Sequence, residues 1–242
     1  MKALLRSSLA IAIMVCMSHP SCAQEAVIRR NIAERLPKFP KIDEVTKSTV
    51  PGLYELRIGN DILYTDENGD YVIEGNIVDT KAQLNVTQAR VDKLTAIDFA
   101  ALPLKDAIVR IQGTGARKLA VFADPNCGFC RQFENDMTKV KDVTVYTFLM
   151  PILGGDSPQK SHNIWCAKDN AASWRGWMLQ GIAPPTNIGA CDDSAIARNL
   201  AMGKKHQVTV TPSLVFEDGK RFKGLMPAEQ VEKQLALSKP RS

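Results

Sequence analysis

The chain has 242 residues, with 31 lysines and arginines against 26 aspartates and glutamates and a formal net charge of +5 at neutral pH. Basic and acidic side chains alternate instead of gathering into a block, which is the pattern of an ordinary solvated surface, so nucleic acid is not expected as a partner. Beyond the first two dozen residues no stretch has the roughly 18 uninterrupted apolar residues that a transmembrane helix needs.

The first segment in chain order is a targeting signal. Met1-Lys2 and Arg6 precede an apolar run from Leu9 to Met17, and Ser21-Cys22-Ala23 is a small-x-small cleavage pattern. Residues 1–23 are therefore expected to be a cleavable secretory signal peptide. A lipoprotein signal would place Leu-x-small ahead of Cys22, where His19-Pro20-Ser21 stand instead. Removing Lys2 and Arg6 leaves 29 of the 31 basic residues and lowers the formal charge from +5 to +3. Export leaves Cys127, Cys130, Cys166 and Cys191 where thiols can pair. Three pairings are possible; spacing favours Cys127 with Cys130, which stand too close to seek partners elsewhere, and Cys166 with Cys191.

Residues 24–84 read as a small α+β domain. Val27, Ile28, Ile32 and Leu36 share a helical face until Pro37 stops the run. After Pro51-Gly52, the segments 53–58, 61–64 and 71–73 are rich in β-formers and separated by Gly59-Asn60 and Asn68-Gly69 turns, the pattern of an antiparallel meander. Such a unit buries little apolar surface and has no cysteine to staple it, so pairing with a second copy through an exposed sheet edge is expected. Residues 85–102 then read as a linker helix, with Val86, Ala89, Val91, Leu94, Ile97 and Phe99 as its apolar positions.

Residues 103–242 carry the diagnostic order. A buried strand at 119–123 leads into Cys127-Gly128-Phe129-Cys130, then a helix with Phe133, Met137 and Val140 inward, then a strand at 143–150, which together make a β-α-β unit. A helical insertion follows. The strand 213–216, an Asp218-Gly219 turn, residues 221–223 and a closing helix with Val231 and Leu235 inward complete an α/β thioredoxin-like catalytic domain.

The chemistry lies in the CxxC. Either Asp124 or Asn126 can cap the helix that follows, which puts Cys127 in its first turn, where unpaired N–H groups and the helix dipole favour a thiolate. Cys127 is the expected nucleophile and Cys130, nearly one turn on, the resolving thiol. Gly128 lets a peptide backbone approach, and Phe129 offers an apolar face. Half a zinc site looks the same, but His162 and Cys166 are more than thirty residues away and there is no second CxxC, so neither metal nor cofactor is expected. His162 reads as a surface or helix-packing residue, and Trp165, Trp174 and Trp177 as core. A Cys166–Cys191 bridge would be structural. Thr211-Pro212 just ahead of a strand predicts a cis peptide, with the Thr211 backbone placed to pair with an extended substrate and Pro212 beside it.

These residues resemble the periplasmic disulfide isomerases of the DsbC and DsbG type. The resemblance is carried by Val121-Phe-Ala-Asp-Pro-Asn-Cys-Gly-Phe-Cys130, Ile164-Trp-Cys-Ala-Lys-Asp169, Cys191 and Val210-Thr-Pro-Ser213. It implies a periplasmic V-shaped homodimer whose two CxxC sites face an apolar cleft for misfolded disulfide-containing exported proteins, kept reduced by a membrane reductase of the DsbD type. By position it makes Cys127 and Cys130 the redox pair, Cys166 and Cys191 the structural disulfide, and Thr211-Pro212 the cis-proline turn. Phe129 stands where the family commonly has tyrosine and Val210 where glycine is familiar, changes that bear on redox potential and substrate range. The function expected is isomerisation of wrong disulfides; the alternatives are a DsbG-like reductase protecting oxidised single cysteines, or a holdase-type chaperone with an incidental CxxC.

Overall fold

The computed structural model describes residues 20–186 and 189–238. Of the leader expected over residues 1–23, residues 1–19 lie outside the described residues. The chain divides into two compact units, residues 1–91 and 92–242.

In the first unit, helix α1 (Pro20–Arg35) precedes four strands, β1 (Glu44–Lys47), β2 (Leu53–Ile58), β3 (Asp61–Asp66) and β4 (Val72–Ile73), paired antiparallel in that order. Ile28 and Ile32, one helical turn apart on α1, close on Ile42, Val45 and Leu56 to form the core. Leu36 falls past the end of the helix and is exposed. The β3–β4 turn is fixed by the Asp66 carboxylate, which accepts from the backbone N–H groups of Asn68, Asp70 and Tyr71. Gly69 there has φ +67°, which favours glycine, and a Cβ would lie 3.2 Å from the Ile28 carbonyl oxygen, so a larger residue would strain the turn and crowd it against the helix. A short ladder, β5 (Val78–Asp79) with β6 (Leu84–Asn85), leads into α2 (Val86–Thr95). Arg90 of α2 is bound to Glu44 and Glu55, both at 2.9 Å, which ties the start of α2 to the sheet.

Helix α2 stops at Thr95, earlier than the apolar spacing through Phe99 suggests. Asp98 accepts from Ala100 N–H and opens a 3-10 turn, Phe99–Ala101. Ile97 and Phe99 are buried with Leu102, Phe122 and Phe148 of the second unit.

That unit has a five-stranded sheet in the order β11-β10-β8-β9-β7, formed by β7 (Ile108–Gln112), β8 (Arg117–Ala123), β9 (Val143–Leu149), β10 (Ser213–Phe216) and β11 (Arg221–Lys223). Strands β8 and β9 run parallel and all other pairs antiparallel. The central strand β8 is covered on both faces, which explains its unbroken apolar run. Leu119, Val121 and Ala123 face one way, onto Phe133 and Met137 of α3 (Gly128–Met137), Trp174 and Met178 of α5 (Asn170–Gln180), and Val231 and Leu235 of α7 (Ala228–Leu237). Ala120 and Phe122 face the other way, with Val208, Val215 and a stacked Phe148 whose ring centroid is 5.3 Å from that of Phe122. Helices α4 (Ser157–Trp165) and α6 (Ser194–Lys205) complete the insertion between β9 and β10.

The chain has the expected class, an N-terminal α+β domain followed by a thioredoxin-like α/β domain with a helical insertion. Strands β1, β5, β6 and β7 are additions to it. Val140, expected on α3, lies beyond the end of that helix but is buried, with its carbonyl and that of Met137 accepting from the Gln112 side chain.

Candidate active site

Strand β8 ends at Ala123, and the next four residues turn the chain into α3. Neither Asp124 nor Asn126 caps that helix. Cys127 is itself the N-cap, in extended backbone conformation, with its Sγ accepting from Cys130 N–H at 3.1 Å. Asp124 is instead fully buried as a hub. Its carboxylate accepts from Asn126 N–H at 2.7 Å, Ser157 Oγ at 2.6 Å and Leu153 N–H at 2.9 Å. The end of β8, the 151–153 loop and the start of α4 are thereby held at one point. This hub was hidden in the sequence because its partners are a serine and a backbone amide about thirty residues downstream.

The two cysteines are both free thiols, 5 % and 1 % exposed. The Cys130 thiol aimed at Cys127 favours the Cys127 thiolate most. Burial opposes ionisation, while the Thr211 side chain and the N–H groups of Cys130 and Phe129 assist it, and the pKa settles at about 6 against an ordinary 9.0. In the thiol form Cys127 donates to the Thr211 carbonyl at 3.2 Å. The Thr211 hydroxyl is buried and has no partner in that form, which leaves it available to the thiolate. Cys130 moves the opposite way: burial, then its hydrogen bond to Cys127 and that residue's charge, push its pKa well above the ordinary thiol range.

Thr211-Pro212 is a cis peptide immediately ahead of β10, and Gly224 N–H donates to the Pro212 carbonyl at 2.8 Å. The turn closes one side of a groove of about 610 Å3 that opens on Cys127. Phe129, 64 % exposed, stands on it with Ile152, Leu153 and Val210, each partly uncovered. A Cβ at Gly128 would meet nothing within 4 Å, so the approach over the first turn of α3 is open.

On the other side, Trp177 donates Nε1–H to the Pro125 carbonyl at 2.6 Å, with Lys160 Nζ 4.3 Å and Arg131 Cζ 5.3 Å from its ring centroid. Lys160 also donates to the Asn126 side chain at 2.8 Å. Trp174 is buried, and its Nε1–H donates to Glu134 of α3, which pairs with Arg110 of β7 at 3.0 Å. Trp165 is partly buried and donates to the Asp192 carbonyl. Cys166, at the C-terminus of α4, is bonded to Cys191, 25 residues on. His162 Nδ1 lies 2.7 Å from Asp193 Oδ2. None of these last residues lines the groove.

The description "Thioredoxin-like domain" matches residues 104–239 and "Disulfide bond isomerase protein N-terminal domain" matches residues 19–88. The chain is 40 % identical over 214 residues to a probable thiol:disulfide interchange protein DsbC of Bordetella pertussis, spanning 88 % of this chain and 74 % of that one. It is 26 % identical over 220 residues to the thiol:disulfide interchange protein DsbC of Escherichia coli, spanning 88 % of each. A crystal structure of a disulfide interchange protein from Neisseria gonorrhoeae superposes with a TM-score of 0.54 at 36 % identity, covering 58 % of this chain and all of that one.

Proposed function

Because the chain belongs to the DsbC family of thiol:disulfide interchange proteins, we propose that it isomerises wrong disulfides in exported proteins, with Cys127 as the attacking sulfur and Cys130 as the resolving one. The observation that carries this reading is the opposed ionisation of the pair beside an open apolar groove. The Cys127 thiolate attacks one sulfur of a client disulfide; a bond from Cys127 Sγ to that sulfur forms as the client bond breaks, and the second client sulfur leaves as a thiolate. If that thiolate attacks another client disulfide, and a later client thiolate displaces Cys127, the client is reshuffled with no net electron transfer. If Cys130 gives up its proton and attacks Cys127 Sγ first, the client leaves reduced, and the enzyme carries a disulfide that a dithiol reductant must open.

Phe129, Thr211 and Pro212 are the client contacts in this reading, and Cys166–Cys191 is the structural disulfide. The site of action is the periplasm, the reductant a membrane protein of the DsbD type, and the working form a homodimer made by residues 24–84. No helix among the described residues is long and apolar enough to cross a membrane. Exposed Tyr71, just ahead of the edge strand β4, and Ile73 on it support the dimer, since a second copy would cover them.

The test is reactivation of a scrambled multi-disulfide enzyme in a glutathione buffer, comparing wild type with Cys127→Ser. Recovery is expected with the wild type and its loss with the variant. No recovery with either, while the wild type still reduces a simple disulfide, would transfer the reading to a specialised reductase.

A further inference from the structure

The groove at Cys127 is apolar in its walls, and one charged residue lines it, Lys223. Lys223 is the last residue of β11, opposite Ser213 in the β10–β11 register and therefore next to the cis Thr211-Pro212 turn. Its side chain is exposed and unpaired among the described residues. The cations on the far side of Cys127 are already engaged: Lys160 with Asp156 and Asn126, and both Lys160 and Arg131 with Trp177. An extended segment entering the groove with its sulfur at Cys127 thus passes one cation, Lys223, and no carboxylate, the Cys127 thiolate being the anion at the site.

We propose that Lys223 is a specificity-determining residue, selecting client segments that carry an acidic side chain close to the attacked cysteine. The argument is charge complementarity in a confined place. Cys127 and Lys223 line the same groove, and side chains two residues apart in an extended chain share a face about 7 Å apart, so a cysteine and a glutamate at that spacing both point along the groove wall. Clients with a lysine there meet like charge. This proposal rests on the interchange reading above and deepens it by naming a substrate class.

The probes are short, end-blocked peptides with one cysteine held in a mixed disulfide with 2-thiopyridine, an uncharged leaving group, and with Glu, Gln or Lys two residues from the cysteine. Cys127 attacks the peptide sulfur and releases pyridine-2-thione, followed by absorbance with the reduced full-length mature protein. At low ionic strength the Glu peptide is expected to react about two- to fivefold faster than the Lys peptide, the range of one exposed ion pair, with the gap closing as salt is added. Lys223→Gln should lower the Glu-to-Lys rate ratio and Lys223→Glu lower it further, each ratio being taken within one protein so that any change in the reactivity of Cys127 itself cancels. An unchanged Glu-to-Lys ratio in Lys223→Glu overturns the proposal and leaves the interchange reading standing. Failure of the wild type to react with any peptide overturns both.

Discussion

Cys127 and Cys130 have the same side chain, and their surroundings alone separate them. The first accepts hydrogen bonds as an anion, and the second is sealed away from water beside that anion. Alkylation of the reduced protein by iodoacetamide follows the thiolate fraction, so its rate is expected to rise with pH through a midpoint near 6 and then level off, with the label on Cys127 and not on Cys130. Peptide mapping checks the site; a midpoint near the ordinary thiol value of 9.0 would remove the asymmetry on which the proposed mechanism rests. The CxxC and the cis-proline turn are local patterns of adjacent residues, so they could be read from the chain directly. The Asp124 hub and the Lys160–Trp177–Arg131 stack could not, because each gathers residues that only the folded backbone brings together. Even the helix cap was misplaced: Asp124 and Asn126 are good cap residues, yet Asp124 was drawn inward by three donors, and the cysteine sulfur took the position.

Among the elements, the central strands were legible and the edges were not. Strand β8, covered on both faces, shows as an unbroken apolar run, whereas β7 lies at the sheet edge with Val109 and Ile111 exposed and a half-buried Arg110 between them. Nothing local reveals that Arg110 turns in to meet Glu134 on α3. That ion pair, with the Trp174 indole on the same carboxylate, fastens β7, α3 and α5 together. Glu134→Ala leaves a guanidinium without its partner in a nearly closed site and is expected to cost about 3 to 5 kcal/mol in urea unfolding of the reduced protein. A loss below about 1 kcal/mol would mean that Arg110 finds water or another acceptor and that the three elements hold by apolar packing. The helix after residue 85 shows the converse error: Ile97 and Phe99 sit at helical spacing, but they are buried with the apolar side chains of the second unit's sheet, and the helix gives way at Thr95.

At the scale of the molecule, each unit has its own buried cluster, so the second is expected to survive alone. Deleting residues 24–84 should yield a monomer that still reduces disulfides but reshuffles them poorly, read by sedimentation and by the scrambled-enzyme assay. A dimeric truncation would place the contact between copies elsewhere. The burial of Cys130 then has a consequence for timing. In the proposed mechanism, a client held on Cys127 escapes in reduced form only after a reluctant proton leaves Cys130, and that wait is the dwell time granted to the client for trying other pairings. Isomerase and reductase become two settings of one clock. Whatever wets Cys130 shortens the visit, and clients would then depart reduced before they had found their native partners.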